Sequence, residues 1–284
     1  MPTAPTTYRE LIDRARADDR RLVVAERPDP ATAIVRLDEP AALNPLNPPL
    51  TVQLHDRLEE AAADPDVRAV ILTGTDPAFS AGGDLRSMRD VVHPAVDAQD
   101  EGATFMWRWI RYRFSAIARL IVRTDKLFVA AVNGPAAGVG LAFAQACDLV
   151  LASERATFVT AFGRVGLIPE VGLGWTLTRR AGYHKAVELF LDGRALSAAE
   201  ALELGLVNEV VAHDELLDRA RRWARKATEL PPHSFAMAKP LLRSVADLTW
   251  EQAITMEEFA EPACFTTRGH RDAVTALLHR SDAT

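Results

Sequence analysis

The chain is poor in the features that would mark several common classes of protein. It has only two cysteines, Cys147 and Cys264, in 284 residues. Both sit in apolar contexts without metal-ligand spacing, which excludes a disulfide scaffold or a thiolate metal centre and reads as two buried thiols in a reducing compartment. No run of clustered lysine and arginine occurs and the net charge is −6, so nucleic acid is disfavoured as the main partner, and an anionic ligand would need local basic groups. No apolar stretch is long enough to span a bilayer. Residues 1 to 20 are polar and carry Asp and Glu, which argues against a secretory or transit peptide and for a cytoplasmic protein. Internal repeats and low-complexity linkers are also missing.

What is present belongs to an ordinary soluble domain, with 48% hydrophobic and 25% charged residues in 31.1 kDa. That length allows one large or two modest domains with a sizeable core. The chain is organised around residues 128 to 148, FVAAVNGPAAGVGLAFAQACD. A β-branched, uncharged run reaches Asn133-Gly134, a turn carries Gly134, Pro135 and Gly138, and a second apolar run from Val139 to Cys147 reads as a buried helix. A helix start at the end of a strand presents unpaired N–H groups and the positive end of the dipole, so the Gly138-Val139-Gly140 corner can hold an oxyanion. A tight packing turn is the alternative.

A second stretch, RAVILTGTDPAFSAGGDL over residues 68 to 85, again runs from a strand into a loop with paired glycines. AFSAGGDL and NGPAAGVGLAFAQACD together resemble the crotonase family, the enoyl-CoA hydratase and isomerase superfamily. The likeness continues through SERATF, GLIPEVG and LSAAEALELGLVNEVV, covering roughly Leu22 to Arg280. It implies an α/β fold with a crotonase-like ββα spiral core and a helical C-terminal trimerisation region. The implied division is an N-terminal helical extension over 1–20, the spiral core over 21–212 and the helical region over 213–284. A homotrimer or dimer of trimers follows from the same resemblance.

Along the chain, Tyr8 to Arg20 reads as a short amphipathic helix that packs on the surface or frays, and Leu22 to Glu26 with Thr32 to Leu37 as a hairpin. A helix is expected from about Leu50 to Ala63. Its leading loop differs from the family's Arg-Pro-x-Lys-Leu-Asn pattern, with Glu39 at the usual Arg and Ala42 at the usual Lys. Met88 to Glu101 has no clear period; Met88, Val91 and Val92 shape an acyl pocket or belong to an exposed loop. A long helix from Thr104 to Arg123 follows, and alternating strand and helix to Ala161 implies an α/β core. From Trp175 onward the chain reads as helical.

A coenzyme A thioester becomes acidic at its α-carbon when the charge arriving on its oxygen is held by two aimed N–H donors, each worth about 3 to 4 kcal/mol in comparable sites. The resemblance gives these roles to Gly83 and Val139. Val139 replaces a usual glycine; its branched side chain disfavours positive φ, so an ordinary helical φ is expected. Gly83 as a plain turn glycine is the alternative. Hydratases of the family use two glutamates, and the matching positions here are Ala142 and Phe162, neither of which carries a proton. Water addition by the usual route is therefore disfavoured. One carboxylate remains in a suitable place, Glu170, with Ile168, Pro169 and Val171 around it to raise its pKa; a dipole-stabilised residue at a helix start is the other reading.

Around the substrate the resemblance puts Ser80, Ala81, Asp84, Leu85, Met88, Gly138, Ala142, Phe162 and Trp175, with Asp84 fixing the loop and Asp148 and Glu154 structural. Arg86, Arg89, Arg268, Arg271 and Arg280 are the candidates for the coenzyme A phosphates. No cofactor or metal is called for, since coenzyme A is part of the substrate. The expectation is an acyl-CoA enzyme of fatty acid metabolism, favoured as a double-bond isomerase. The alternatives are a hydratase or lyase using other residues and a non-catalytic acyl-CoA-binding subunit.

Overall fold

The structure is a computed structural model that describes residues 7–98 and 101–281, with side chains to residue 279. Helix α1 (Tyr8–Arg16) leads into a hairpin of β1 (Val23–Asp29) and β2 (Thr32–Leu37). The chain continues through β3 (Pro45–Leu46), α2 (Pro48–Ala63), β4 (Ala69–Gly74) and β5 (Gly82–Gly83). Short helices α3 (Leu85–Ser87) and α4 (His93–Asp97) flank a π-helical turn at Met88–Val92. Helices α5 (Ala103–Trp109) and α6 (Ser115–Arg123) flank another at Ile110–Phe114.

The central unit is β6 (Leu127–Val132), β7 (Ala136–Ala137) and α7 (Gly138–Ala146), followed by β8 (Leu149–Ser153) and β9 (Thr157–Val159). Helices α8 (Leu173–Ala181) and α9 (Tyr183–Asp192), strand β10 (Leu196–Ser197), helix α10 (Ala198–Glu203) and strand β11 (Glu209–Val211) complete the core. Then come α11 (Leu216–Glu229), α12 (Pro232–Ser244), α13 (Trp250–Phe265) and α14 (Arg268–Ser281).

Six strands form the main sheet in the order β1-β2-β4-β6-β8-β11, antiparallel at β1 and β2 and parallel thereafter. Its central strands β4 and β6 are buried along their whole length because both faces are covered, as parallel sheets require. Val35, Val70, Leu72, Phe128, Ala130 and Val132 join α2, α6 and α7 in the larger core. Ile34, Ile71, Val129, Ala131 and Leu151 meet α11 through Leu216, Ala220 and Ala224. Small sheets β10-β9-β7 and β3-β5 carry the loops above the main sheet.

Helix α12 docks through a buried lysine. Lys239 Nζ donates to the carbonyls of Ile121 (2.7 Å) and Lys126 (2.8 Å) and pairs with Asp148 at 2.9 Å. Arg243 meets the same carboxylate at 2.6 Å, and Asp148 also accepts the Phe128 N–H at 2.8 Å. A charge this deeply buried is tolerated because every donor is used. Asp148 is therefore a structural hub, in agreement with its sequence reading.

Three expectations need correction. The first helix ends at Arg16 rather than Arg20, and it is built into the core, with Leu11, Ile12 and Ala15 buried. The stretch after Met88 is helical to Asp97, and its π turn explains the missing period, because an i→i+5 turn shifts the apolar face out of a 3.6-residue repeat. Of the two thiols only Cys147 is buried; Cys264 is partly exposed because α13 has no covering layer within its own chain.

Candidate active site

Two glycine-rich turns are sewn together above the ends of β4 and β6. Phe79 and Ser80 donate N–H groups to the Pro135 carbonyl at 3.1 and 3.0 Å, and Ala137 N–H donates to Ser80 O at 2.9 Å. The buried Ser80 hydroxyl donates to Asn44 O at 2.8 Å and accepts the Gly82 N–H at 3.1 Å. Two glycines are required at this seam. Gly82 has φ +85° and a Cβ there would lie 2.5 Å from Ala137 O, while a Cβ on Gly140 would lie 2.6 Å from the Ser80 Cβ.

The second turn opens α7. Gly138 takes the positive φ of +52° and Val139 has none, as its branched side chain demands. No side chain caps the N-terminus of α7, so its first N–H groups keep their capacity for an anion. Phe162 is buried and its ring tip stands 3.9 Å from where a Gly138 Cβ would be. An aromatic ring thus covers the turn at which the family resemblance calls for a carboxylate.

Beside this seam lies a cavity of about 280 Å³, lined by Gly83, Asp84, Met88, Val91, Val92 and Glu170 among others. Leu11, Leu46, Met106, Trp109, Ile110, Phe114, Leu167 and Ile168 make the rest of its wall overwhelmingly apolar. Glu170 is the one acid in it besides Asp84. The Asp84 carboxylate is occupied, accepting the Arg86 and Ser87 N–H groups at 3.1 Å each and the Ser87 hydroxyl at 2.6 Å. Glu170 has no such partner among the described residues, and burial pushes its carboxyl up to about 7. It lies outside α8, whose N-cap is Gly172, so the helix-start reading of Glu170 does not apply. Val171, next in the chain, holds φ +60°, a strained value for a β-branched residue and the kind of distortion that collects at working sites.

Residues 29–282 match the family described as Enoyl-CoA hydratase/isomerase. The chain belongs to this family, the crotonase superfamily. A Dictyostelium discoideum protein named "Probable enoyl-CoA hydratase, mitochondrial" is 32% identical over 251 residues, 88% of this chain and 86% of its own. The 1,2-epoxyphenylacetyl-CoA isomerase of Escherichia coli K12 is 32% identical over 242 residues, 85% of this chain and 90% of its own. The crystal structure of an enoyl-CoA hydratase from Mycobacterium smegmatis superposes with a TM-score of 0.82 at 28% identity, covering 92% of this chain and 97% of that one. The protein is thus an acyl-CoA enzyme of the enoyl-CoA hydratase/isomerase type with the crotonase fold. The names among its relatives do not choose between the two reactions.

Within the crotonase frame, Gly83, Asp84, Met88 and Glu170 meet at one cavity, while across the seam Gly138, which precedes Val139, packs close to Gly82 and under Phe162. Ser80 shapes the seam, Ala81 is exposed beside it, and Leu85 points outward at 59% exposure. Ala142 and Trp175 are placed elsewhere: both line a second cavity with Val171 and Gly172. Two left-handed residues, Val171 and Gly172, turn the chain between Glu170 and α8, and Trp175 instead carries Arg179 over its ring at 4.8 Å.

The candidate phosphate arginines are not gathered at one point. Arg89 is spent on Asp90 at 2.5 Å, Arg268 pairs with Asp272 at 3.4 Å, and Arg271 donates to Thr266 O. Arg86 is exposed near the cavity, and the Arg280 side chain lies outside the described residues. Sequence reasoning missed the wall contributed by α1, α5 and the Leu167-Ile168 loop, although the amphipathic spacing of Tyr8, Leu11 and Ile12 was a signal for the first of these.

No helix among the described residues is long and apolar enough to cross a membrane.

Proposed function

We propose that this crotonase moves a carbon–carbon double bond within an enoyl-CoA thioester, with Glu170 as its single general acid and base. The observation that carries the reading is one uncompensated carboxyl, with a pKa of about 7, in the same apolar cavity as Gly83. Near neutral pH such a group is part ionised, and it both takes and returns a proton efficiently. The α-proton leaves to Glu170, the electron pair spreads into a dienolate whose oxygen is held by the Gly83 and Val139 N–H groups, and the same proton is delivered to the γ-carbon. A proton shift of this kind needs no water and no second acid, which fits Phe162, set against Gly138, where the resemblance puts a hydratase carboxylate.

The hydratase reading is favoured by the names of relatives and opposed by the Phe162 side chain. A panel of acyl-CoA thioesters in heavy water separates the possibilities. Exchange and isomerisation of a 3-enoyl-CoA, with crotonyl-CoA hydration near background, is the expected result. Robust hydration that persists in Glu170→Gln would contradict the reading, and no exchange with any thioester would mark a binding subunit.

A further inference from the structure

Helix α1 lies ahead of residue 29, where the family match begins, yet it is fixed in place at both ends. Thr7 Oγ1 accepts the Glu10 N–H at 3.2 Å and the Tyr8 N–H donates to Glu101 Oε2 at 3.1 Å. Glu101 in turn holds Arg108 of α5 at 2.5 Å. Beyond the helix, Arg20 bridges Asp18 (2.7 Å) and Glu39 (3.0 Å), and Gln53 donates to Arg20 O at 2.7 Å. Between these anchors Leu11 is only 4% exposed and lines the apolar cavity; of all its described lining residues, Leu11 alone comes from outside the family match.

We propose that α1 is the acyl-length gauge of this enzyme, with Leu11 as a wall that limits the length of acyl chain the cavity accepts. The cavity is small, about 280 Å³, and Leu11 forms part of its apolar wall. Until the chain meets that wall, each added methylene leaves water for an apolar surface and multiplies kcat/KM about fourfold. A longer chain must displace a helix packed into the main core, so the trend reverses. The inference rests on the proposed function only in taking the Gly83 and Glu170 end as the reacting end.

The test compares wild type, Leu11→Ala and Leu11→Phe on hexenoyl, octenoyl, decenoyl, dodecenoyl and hexadecenoyl thioesters. The dissociation constants of the matching saturated acyl-CoAs are measured by calorimetry. Relative to the wild-type optimum, Leu11→Ala is expected to favour a longer thioester of the series and Leu11→Phe a shorter one, in both turnover and binding. Opposite displacements by the two variants cannot arise from general damage to the fold. If the binding optima shift while no thioester is isomerised, the gauge stands and the isomerase reading falls. If the variants share the wild-type length profile, or weaken all lengths equally, Leu11 is packing alone and the inference is overturned.

Discussion

Glu170 is kept protonatable by what surrounds it. Among the described residues no cation or hydrogen-bond donor meets its carboxylate, and desolvation raises its pKa from 4.5 to about 7. Two consequences follow from that one displacement. As a base it must be ionised, so kcat/KM for proton abstraction falls about tenfold for each pH unit below about 7, measurable as a pH–rate profile. For stability the sign is the reverse. The folded state binds the proton more tightly than the unfolded chain, so Glu170 costs nothing below its unfolded pKa, and stability is lost as pH rises from 4.5 to about 7. Glu170→Gln is therefore expected to be more stable than wild type at pH values above about 7, by up to about 3 kcal/mol, and no more stable in acid near the unfolded pKa. Thermal melts at the two ends of that window check it; equal melting of the two proteins in the alkaline arm would mean the carboxyl is not desolvated.

At the scale of elements, the site depends on the seam between β5 and α7. Gly140 faces Ser80 so closely that any side chain must push the two turns apart. Gly140→Ala is expected to cost about 1 to 3 kcal/mol and to lower isomerisation more than affinity, since the donor spacing at the oxyanion is what it disturbs; unfolding curves and the split of kcat from KM report this. The turns were legible in the sequence because glycine and proline mark local steric demands, and the motifs AFSAGGDL and NGPAAGVG carry those demands in a few residues. The acyl wall was legible only in part: Met88, Val91 and Val92 were read as pocket or exposed loop, and they line the cavity. Met88, Val91 and Val92 share a helix interrupted by a π turn, which erases the period that reveals an amphipathic face. Trp175 was misplaced because the left-handed pair Val171 and Gly172 turns α8 away, and a β-branched residue in that conformation is not foreseeable from its type.

For the whole molecule, the fold class and the order of strand and helix were readable because buried parallel strands are continuously apolar and the turns between them are punctuated. Assembly was readable only through the family resemblance, and the surface now supplies a physical reason for it. Helix α13 has no buried residue within its own chain, and Trp250, Phe259 and Leu277 are 74%, 82% and 64% exposed. Apolar surface of this extent marks an interaction site, and we propose that it joins copies of this chain as a trimer or a dimer of trimers. Phe259→Asp is expected to shift light-scattering mass toward the monomer while leaving the far-ultraviolet dichroism unchanged. A wild-type mass equal to the 31.1 kDa chain at micromolar concentration would contradict the proposal.

The most direct test of the account is a paired measurement on Glu170→Gln, in which the amide keeps the size of the side chain and removes its basic site. Isomerisation of a 3-enoyl-CoA is expected to fall by about 100-fold to 10,000-fold, while calorimetric affinity for an unreactive acyl-CoA stays within a few-fold, because the Gly83 and Val139 N–H groups are untouched. A rate within a few-fold of wild type would show that another group moves the proton, and a joint collapse of rate and affinity would show that Glu170 shapes the cavity instead of acting in it.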